Sequence, residues 1–267
     1  MKRAPRPLRL ERKGVALRAL DFRGRGPPVV LLHGLAGYGG EWTETASWLR
    51  ERHRVVALDQ RGHGGSTRVP ATVAPDDFVG DVVAWLDELG LERACLVGQS
   101  FGGLVAFLTA GAHAERVQRL VVAEASPSSD PSAAVELEEW LESWPVPFLD
   151  REAAIRFFGG DSPRARAWAG GLETREDGLW PQFDADTLLQ AVRASSSDHW
   201  DAWSWIRCPT LIVRGEHGMA AEDARAMAAR LEDAVLASVP GAGHDVHLEK
   251  PAEWRCIVQR FLAPAEG

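Results

Sequence analysis

The stretch Gly98-Gln99-Ser100-Phe101-Gly102-Gly103 decides the fold predicted for this chain. The β-prone run Ala94-Cys95-Leu96-Val97 precedes it, and the apolar run Leu104-Val105-Ala106-Phe107-Leu108 after it predicts a helix. A strand, a Gly-x-Ser-x-Gly turn and a helix are typical of a nucleophile elbow, and a chance glycine-rich turn is the alternative interpretation. The turn raises the serine hydroxyl above the sheet, and a side chain at either glycine would collide with the neighbouring strand or helix. The helix N-terminus favours negative charge beside the serine.

The rest of the chain alternates strand-like and helix-like segments. Val29-Val30-Leu31-Leu32 and the segments 54–58, 119–123 and 209–213 are short and apolar, as expected for strands buried on both faces of a parallel sheet. Helical patterns separate them. This alternation predicts an α/β fold with a doubly wound, mostly parallel sheet.

The pattern changes between residues 126 and 206. A polar segment rich in helix breakers, 126–132, opens this region, and helical segments without clear strands follow. We therefore predict a core domain of residues 1–125 and 207–267 with a helical insertion, 126–206, over the carboxyl edge of the sheet. That edge is where open α/β sheets bind ligands.

Composition excludes several classes of partner. The 267 residues are 45% hydrophobic and 25% charged, and a net charge of −8 argues against nucleic-acid binding. No run approaches the ~18 apolar residues that a membrane span needs, and the basic start, 1–13, lacks the apolar segment of a signal peptide. Cys95, Cys208 and Cys256 are far apart and show no metal-ligand spacing. We expect reduced thiols, no metal and a cytoplasmic protein.

Five motifs, in this order, resemble those of the α/β-hydrolase fold superfamily: His33-Gly34, Asp59-x-Arg61-Gly62-x-Gly64-x-Ser66, Gly98-x-Ser100-x-Gly102-Gly103, the strand 209–215, and Gly241-x-Gly243-His244. The resemblance covers nearly the whole chain and implies that the helical insertion is a cap domain. It does not identify the substrate, because the superfamily includes esterases, lactonases, amidases, C–C hydrolases, perhydrolases and non-catalytic receptors.

The resemblance also implies roles for individual residues. A serine nucleophile needs a base, and the base needs a group that holds its tautomer. Ser100 is then the nucleophile and His244 the base, while His247 is the nearest competitor and lacks the Gly-x-Gly lead. The backbone N–H groups of Leu35 and Phe101 form the oxyanion hole.

The catalytic acid departs from the superfamily's commonest pattern. The acid usually follows the strand that ends here at Gly215, as Gly-x-x-Asp, but this chain has Gly218 at that place. A minority of the superfamily carries the acid one strand earlier, which implies Glu124. A charge at the end of this apolar run needs a partner, and a purely structural glutamate that hydrogen-bonds a loop is the alternative. Other candidates for the acid are Glu216, Asp223 and Asp245.

Seven of the eleven tryptophans lie in the insertion. They could line an apolar pocket above Ser100, or they could hold a small helical cap together. We predict substrate contacts for Trp140, Trp144, Trp168, Trp180 and Trp203, and leave Trp200 and Trp205 as further candidates.

Together these observations predict a cofactor-free serine hydrolase that cleaves an ester, lactone or amide of a small, largely apolar molecule. A C–C bond hydrolase or perhydrolase on the same triad is one alternative, and a non-catalytic receptor for a small ligand is another. The intact serine, histidine and acid argue against the receptor. The sequence does not decide the substrate or the oligomeric state.

Overall fold

A computed structural model describes residues 4–128 and 130–263 of the chain. Its strands are β1 (Arg6–Arg12), β2 (Val15–Arg23), β3 (Pro28–Leu32), β4 (Arg54–Asp59), β5 (Ala94–Gln99), β6 (Val117–Ala123), β7 (Leu172–Arg175), β8 (Gly178–Pro181), β9 (Thr210–Gly215) and β10 (Ala234–Val239). Its helices are α1 (Thr43–Leu49), α2 (Pro75–Glu88), α3 (Phe101–Ala112), α4 (Ala133–Glu142), α5 (Arg151–Phe157), α6 (Pro163–Gly170), α7 (Ala185–Ala194), α8 (Trp200–Ser204), α9 (Ala221–Ala228), α10 (Val246–Glu249) and α11 (Pro251–Leu262).

Within the described residues, eight strands form one sheet in the order β1-β2-β4-β3-β5-β6-β9-β10. β2 pairs antiparallel with both β1 and β4, and every other neighbouring pair is parallel. Helices connect the parallel strands across both faces. This architecture confirms the predicted α/β fold with a mostly parallel sheet.

The central strand β3 shows why its sequence is uniformly apolar. Val30 and Leu32 pack into the core beneath α2, α3 and α9, whereas Val29 and Leu31 pack into the opposite core beneath α1 and α11. Successive side chains of a strand point to opposite faces, so a strand covered on both sides has no polar position.

The turn between β5 and α3 depends on two glycines. A Cβ atom at Gly98 would lie 2.1 Å from the carbonyl oxygen of Gly102, and one at Gly102 would lie 2.2 Å from that of Leu32. Backbone atoms cannot move aside as a flexible side chain can. Between the glycines, Ser100 has φ 52° and ψ −124°, a conformation that L-residues rarely adopt.

The segment between β6 and β9 contains a β-hairpin that the sequence did not predict. β7 and β8 pair antiparallel, and an isolated bridge joins Leu179 of β8 to Phe148. The expectation of an insertion without strands was therefore wrong. Each strand has four residues, which is too short for an alternating pattern to be recognised.

Two of the predicted cavity tryptophans are buried in cores instead. Trp144 packs edge-to-face against aromatic rings of the insertion, including Phe158 at a ring-centroid distance of 4.9 Å. Trp203 packs edge-to-face on Phe107 of α3 at 5.4 Å and donates its indole N–H to the Met227 carbonyl oxygen at 2.9 Å. α8 thus packs with the core, although the predicted insertion ran to residue 206. Both rings are buried in a core because burial removes their large apolar surface from water.

Trp180 also lies away from the predicted place. Its indole N–H donates to Asp177 at 2.8 Å, and the Arg175 guanidinium lies 4.9 Å from the centre of its ring. The contacts of Trp180 are therefore with residues of its own hairpin. Trp205 is 58% exposed, and Trp200 is covered by Arg230 at 4.1 Å.

A search of the described residues finds no helix that is both long and apolar enough to cross a membrane. The same part of the chain contains no group of three or more His, Cys, Asp or Glu side chains arranged to hold a metal ion.

Two neighbouring tryptophans test the packing of α8. Trp203→Ala should lower the free energy of unfolding by about 3–5 kcal/mol, because it empties a fully buried aromatic site. Trp205→Ala should change it by no more than about 0.5 kcal/mol, because that ring faces solvent. Urea denaturation measures the free energy of unfolding of both variants, which can be compared if their m-values are equal. Similar losses from the two variants would contradict the assignment of α8 to the core.

Candidate active site

Ser100 sits at the carboxyl end of β5, on the turn into α3. Its backbone N–H donates to the Ala123 carbonyl oxygen at 2.8 Å, which ties the turn to the end of β6. A residue held at positive φ costs on the order of 1–3 kcal/mol and persists only where its surroundings fix it. The fold therefore fixes the position of this hydroxyl.

Glu124 follows β6 immediately and turns its carboxylate beneath the same edge of the sheet. Its side chain is 1% exposed. One oxygen accepts the Gly215 N–H at 2.5 Å, and the other accepts the Met219 N–H at 2.8 Å. The second oxygen also lies 3.5 Å from Nδ1 of His244. A buried carboxylate needs such partners, and here one of them is an imidazole.

Position 218 and the Glu124 carboxylate compete for the same space. A Cβ atom at Gly218 would lie 2.0 Å from the nearer carboxylate oxygen of Glu124 and 2.4 Å from its carboxyl carbon. The carboxylate therefore fills the space that a side chain at 218 would enter. In this fold the two positions cannot both carry side chains without a rearrangement.

His244 lies in the loop between β10 and α10. Its carbonyl oxygen accepts the side-chain N–H of Gln99 at 2.9 Å, and the N–H of Gly243 donates to Glu249 at 2.6 Å. These bonds tie the histidine loop to the serine turn and to α10. The sequence analysis did not identify Gln99, although this residue lies within the serine motif itself.

The surroundings of His244 raise the pKa of its imidazole above the ordinary value. Although 59% of the side chain is exposed, the walls of the site desolvate the ring, which alone would lower the pKa. Contact with Glu124 and the negative charges of Asp245, Glu124 and Glu249 outweigh that effect. The environment therefore favours the protonated imidazole.

Ser100 and His244 line the same two cavities. Among the hydrogen bonds of the described residues there is none between them. A gap of this kind is common without substrate, because catalytic hydrogen bonds often tighten only in the complex.

Leu35 and Phe101 lie beside the serine, in the wall of the larger cavity. Phe101 is the first residue of α3, so its N–H has no partner within the helix. The loop that carries Leu35 is held by His33, whose Nε2 accepts the Gln60 N–H at 3.1 Å and whose Nδ1 lies 2.7 Å from the Gly34 carbonyl oxygen. This pair of contacts fixes the tautomer with the proton on Nδ1.

The alternative acids and base have other partners. Glu216 accepts the Gly241 N–H at 2.8 Å. Asp245 accepts from Nε of Arg164 at 2.7 Å and from the indole of Trp168 at 3.0 Å. His247 is buried, stacks on a tryptophan ring at 4.3 Å and lies 3.3 Å from a Glu41 oxygen. Asp223 lines the larger cavity, but no contact joins it to His244 within the described structure.

Two cavities meet at the serine. They have volumes of about 530 Å³ and 350 Å³ and share five lining residues, Leu35, Ser100, Asp130, Ala133 and His244. The smaller one is lined by Trp140, Trp168 and three leucines, so two of the predicted tryptophans reach it. The lining of the larger one includes four further serines, namely Ser126, Ser128, Ser195 and Ser196.

Sequence reasoning missed Asp130 and Arg164 as cavity residues. Both lie between β6 and β9, and no motif marks either of them. Their position depends on contacts that are distant in sequence, which no local pattern records.

A family model described as alpha/beta hydrolase fold matches residues 27–251. A 2-(acetamidomethylene)succinate hydrolase of Mesorhizobium japonicum is 28% identical over 90% of this chain and 89% of its own length. A pimeloyl-[acyl-carrier protein] methyl ester esterase of Chromobacterium violaceum is 31% identical over 84% of this chain and 90% of its own length. A crystal structure of E-2-(acetamidomethylene)succinate hydrolase matches with a TM-score of 0.89 and 25% identity, over 97% of this chain and 99% of that one.

The pKa of His244 provides a direct test of this geometry. NMR titration of the imidazole should give a pKa above the ordinary histidine value, because nearby carboxylates favour its protonated form. Glu124→Gln should lower that pKa, since the amide removes one negative charge beside Nδ1. An unchanged pKa in Glu124→Gln would contradict the contact.

Proposed function

The chain belongs to the alpha/beta hydrolase fold family, and from this premise we propose that it cleaves an ester, lactone or amide of a small molecule through an acyl-enzyme on Ser100. The observation that carries the proposal is the buried carboxylate of Glu124, 3.5 Å from the His244 ring that shares a cavity with the strained serine. A nucleophile, a base and a group that orients the base are the parts that serine hydrolysis needs.

The first half of the proposed reaction acylates the serine. Ser100 Oγ attacks the carbonyl carbon while Nε2 of His244 takes its proton. The carboxylate of Glu124 stabilises the imidazolium, and the N–H groups of Leu35 and Phe101 donate to the oxyanion. The tetrahedral intermediate then collapses. The bond to the leaving group breaks with its electron pair, and His244 returns the proton to that group.

The second half releases the acid. A water molecule attacks the acyl carbon while His244 takes one of its protons. Collapse of the second tetrahedral intermediate breaks the bond to Ser100 Oγ, which regains a proton from His244. The net reaction adds one water across the substrate bond, and no step requires an electron donor or acceptor.

We also propose that the insertion acts as a cap over this site and contributes to substrate binding. α6 supports this role, since Arg164 and Trp168 both hold Asp245 next to the catalytic histidine. Trp140 and Trp168 give the smaller cavity an aromatic wall. An apolar group of the substrate would fill this cavity, which agrees with a substrate that is largely apolar.

Covalent labelling tests the nucleophile. A fluorophosphonate probe should react with the wild-type protein, because an activated serine attacks phosphorus as it attacks a carbonyl. Intact-protein mass spectrometry should show one added probe, peptide mapping should place it on Ser100, and Ser100→Ala should abolish it. A label on another residue, or none with probes small enough for the cavity, would refute the serine mechanism.

Exchange of the acid tests Glu124. Glu124→Gln should keep the fold but lower kcat, by up to about 10⁴-fold, because the amide cannot stabilise the imidazolium. Gly218→Asp should also be impaired, because its side chain would collide with Glu124. The double variant Glu124→Gly/Gly218→Asp removes the collision. Glycine also adopts the positive φ at position 124 more readily than other residues do. The double variant should therefore have a higher kcat than either single variant.

Glu216→Gln is the matched control for these variants. Its carboxylate bonds a neighbouring loop, so the substitution should leave kcat within a few-fold of wild type. A large loss in Glu216→Gln with little loss in Glu124→Gln would assign the acid to Glu216. A double variant no better than Glu124→Gln would show that position 218 cannot supply the carboxylate.

A further inference from the structure

Five carboxylates other than the candidate acid line the two cavities at Ser100. Two of them, Glu41 and Asp245, contact a histidine and an arginine respectively. The other three are Asp130, Glu136 and Asp223. Asp130 lines both cavities, Glu136 lines the smaller one, and Asp223 lines the larger one. In the described part of the chain, no ion pair joins any of the three to a lysine, arginine or histidine. Their charges therefore act on whatever enters the cavities.

Arg164 is the one lysine or arginine among the described residues that line these cavities. Its guanidinium is already engaged: Nε donates to Asp245 at 2.7 Å, and Nη1 donates to the Phe158 carbonyl oxygen at 3.2 Å. Nε also lies 3.9 Å from a Glu249 oxygen. The positive charge of Arg164 is therefore compensated within the protein, by Asp245, whose side chain is 7% exposed, and by the nearby Glu249. Neutralised in this way, the arginine does not offset the charges of Asp130, Glu136 and Asp223.

Asp130 and Glu136 are linked at the mouth of the cavities. The Ser132 hydroxyl lies 2.7 Å from an oxygen of each carboxylate. A single hydroxyl proton can serve only one of them at a time, and both residues are exposed to solvent. They therefore form a negative pair at the entrance, and salt should screen its field.

We propose that this hydrolase selects uncharged acyl substrates and discriminates against substrates that carry a carboxylate. The proposal rests on the proposed function, because it concerns the same cavity and the same serine. The relative from Mesorhizobium japonicum is named for a succinate, a compound with two carboxyl groups. The charges around Ser100 predict that such an anion is a poor substrate here, because a cleft lined by one sign of charge lowers the local concentration of ligands of that sign.

Two esters of equal length test the proposal. Both have a p-nitrophenyl leaving group on an adipoyl chain, and the far end is either a methyl ester or a free carboxylate. For the wild-type protein at low ionic strength, kcat/KM should favour the methyl ester on the order of tenfold. The ratio should shrink as sodium chloride is added. A ratio of one, or a preference for the carboxylate, would overturn the proposal.

The double variant Asp130→Asn/Glu136→Gln attributes the effect to the entrance pair. It should raise the ratio of kcat/KM for the anionic ester to kcat/KM for the neutral ester severalfold. Because the readout is a ratio within one protein, a general loss of folded enzyme cannot imitate it. Glu142→Gln is the matched control, since it removes a charge from the same helix at an exposed position outside both cavities and should keep the wild-type ratio.

The outcomes separate this proposal from the proposed function. If the neutral ester is hydrolysed no faster by wild type than by Ser100→Ala, the serine mechanism fails. If the neutral ester is hydrolysed but the double variant keeps the wild-type ratio, the serine mechanism stands and the assignment to Asp130 and Glu136 is wrong.

Discussion

The buried carboxylate of Glu124 is the contact on which the arrangement of the site depends. β6 supplies this residue, the end of β9 and the turn after it supply the N–H groups of Gly215 and Met219, and the loop after β10 supplies the ring of His244. The segments that follow three neighbouring strands therefore meet at the side chain of Glu124. Its charge is tolerated because each oxygen has a donor, and the same charge raises the pKa of the histidine above it.

The serine turn is fixed by contacts of another kind. Gly98 and Gly102 lie too close to neighbouring carbonyl groups to carry a side chain, and Ser100 is held at positive φ between them. These are steric constraints, whereas the histidine is held by hydrogen bonds. Gln99 joins the two systems, because it belongs to the serine turn and donates to the histidine loop at 2.9 Å. A shift of either loop would therefore strain or break this hydrogen bond to the other loop.

Much of the fold was predictable because its signals are local. The apolar run of β3 is uniform since both faces of that strand are covered, and Gly98 and Gly102 mark the turn without any knowledge of what surrounds it. The insertion resisted prediction because its contacts are distant in sequence. Trp168 and Trp203 both lie between β6 and β9, yet one reaches the cavity and the other packs on α3. Nothing in the residues next to them distinguishes these two outcomes.

The position of the proposed acid shows how the folded structure explains a departure from a sequence motif. Ala123, the last residue of β6, pairs in parallel register with Val213 of β9, and β9 continues to Gly215. The two neighbouring strands therefore end at the same edge of the sheet, where a carboxylate that follows either one can approach His244. Because the Glu124 carboxylate occupies the space beside Gly218, the glycine at 218 and the glutamate at 124 are two halves of one steric arrangement. Only their proximity in the folded chain explains why a carboxylate at one position goes with a missing side chain at the other.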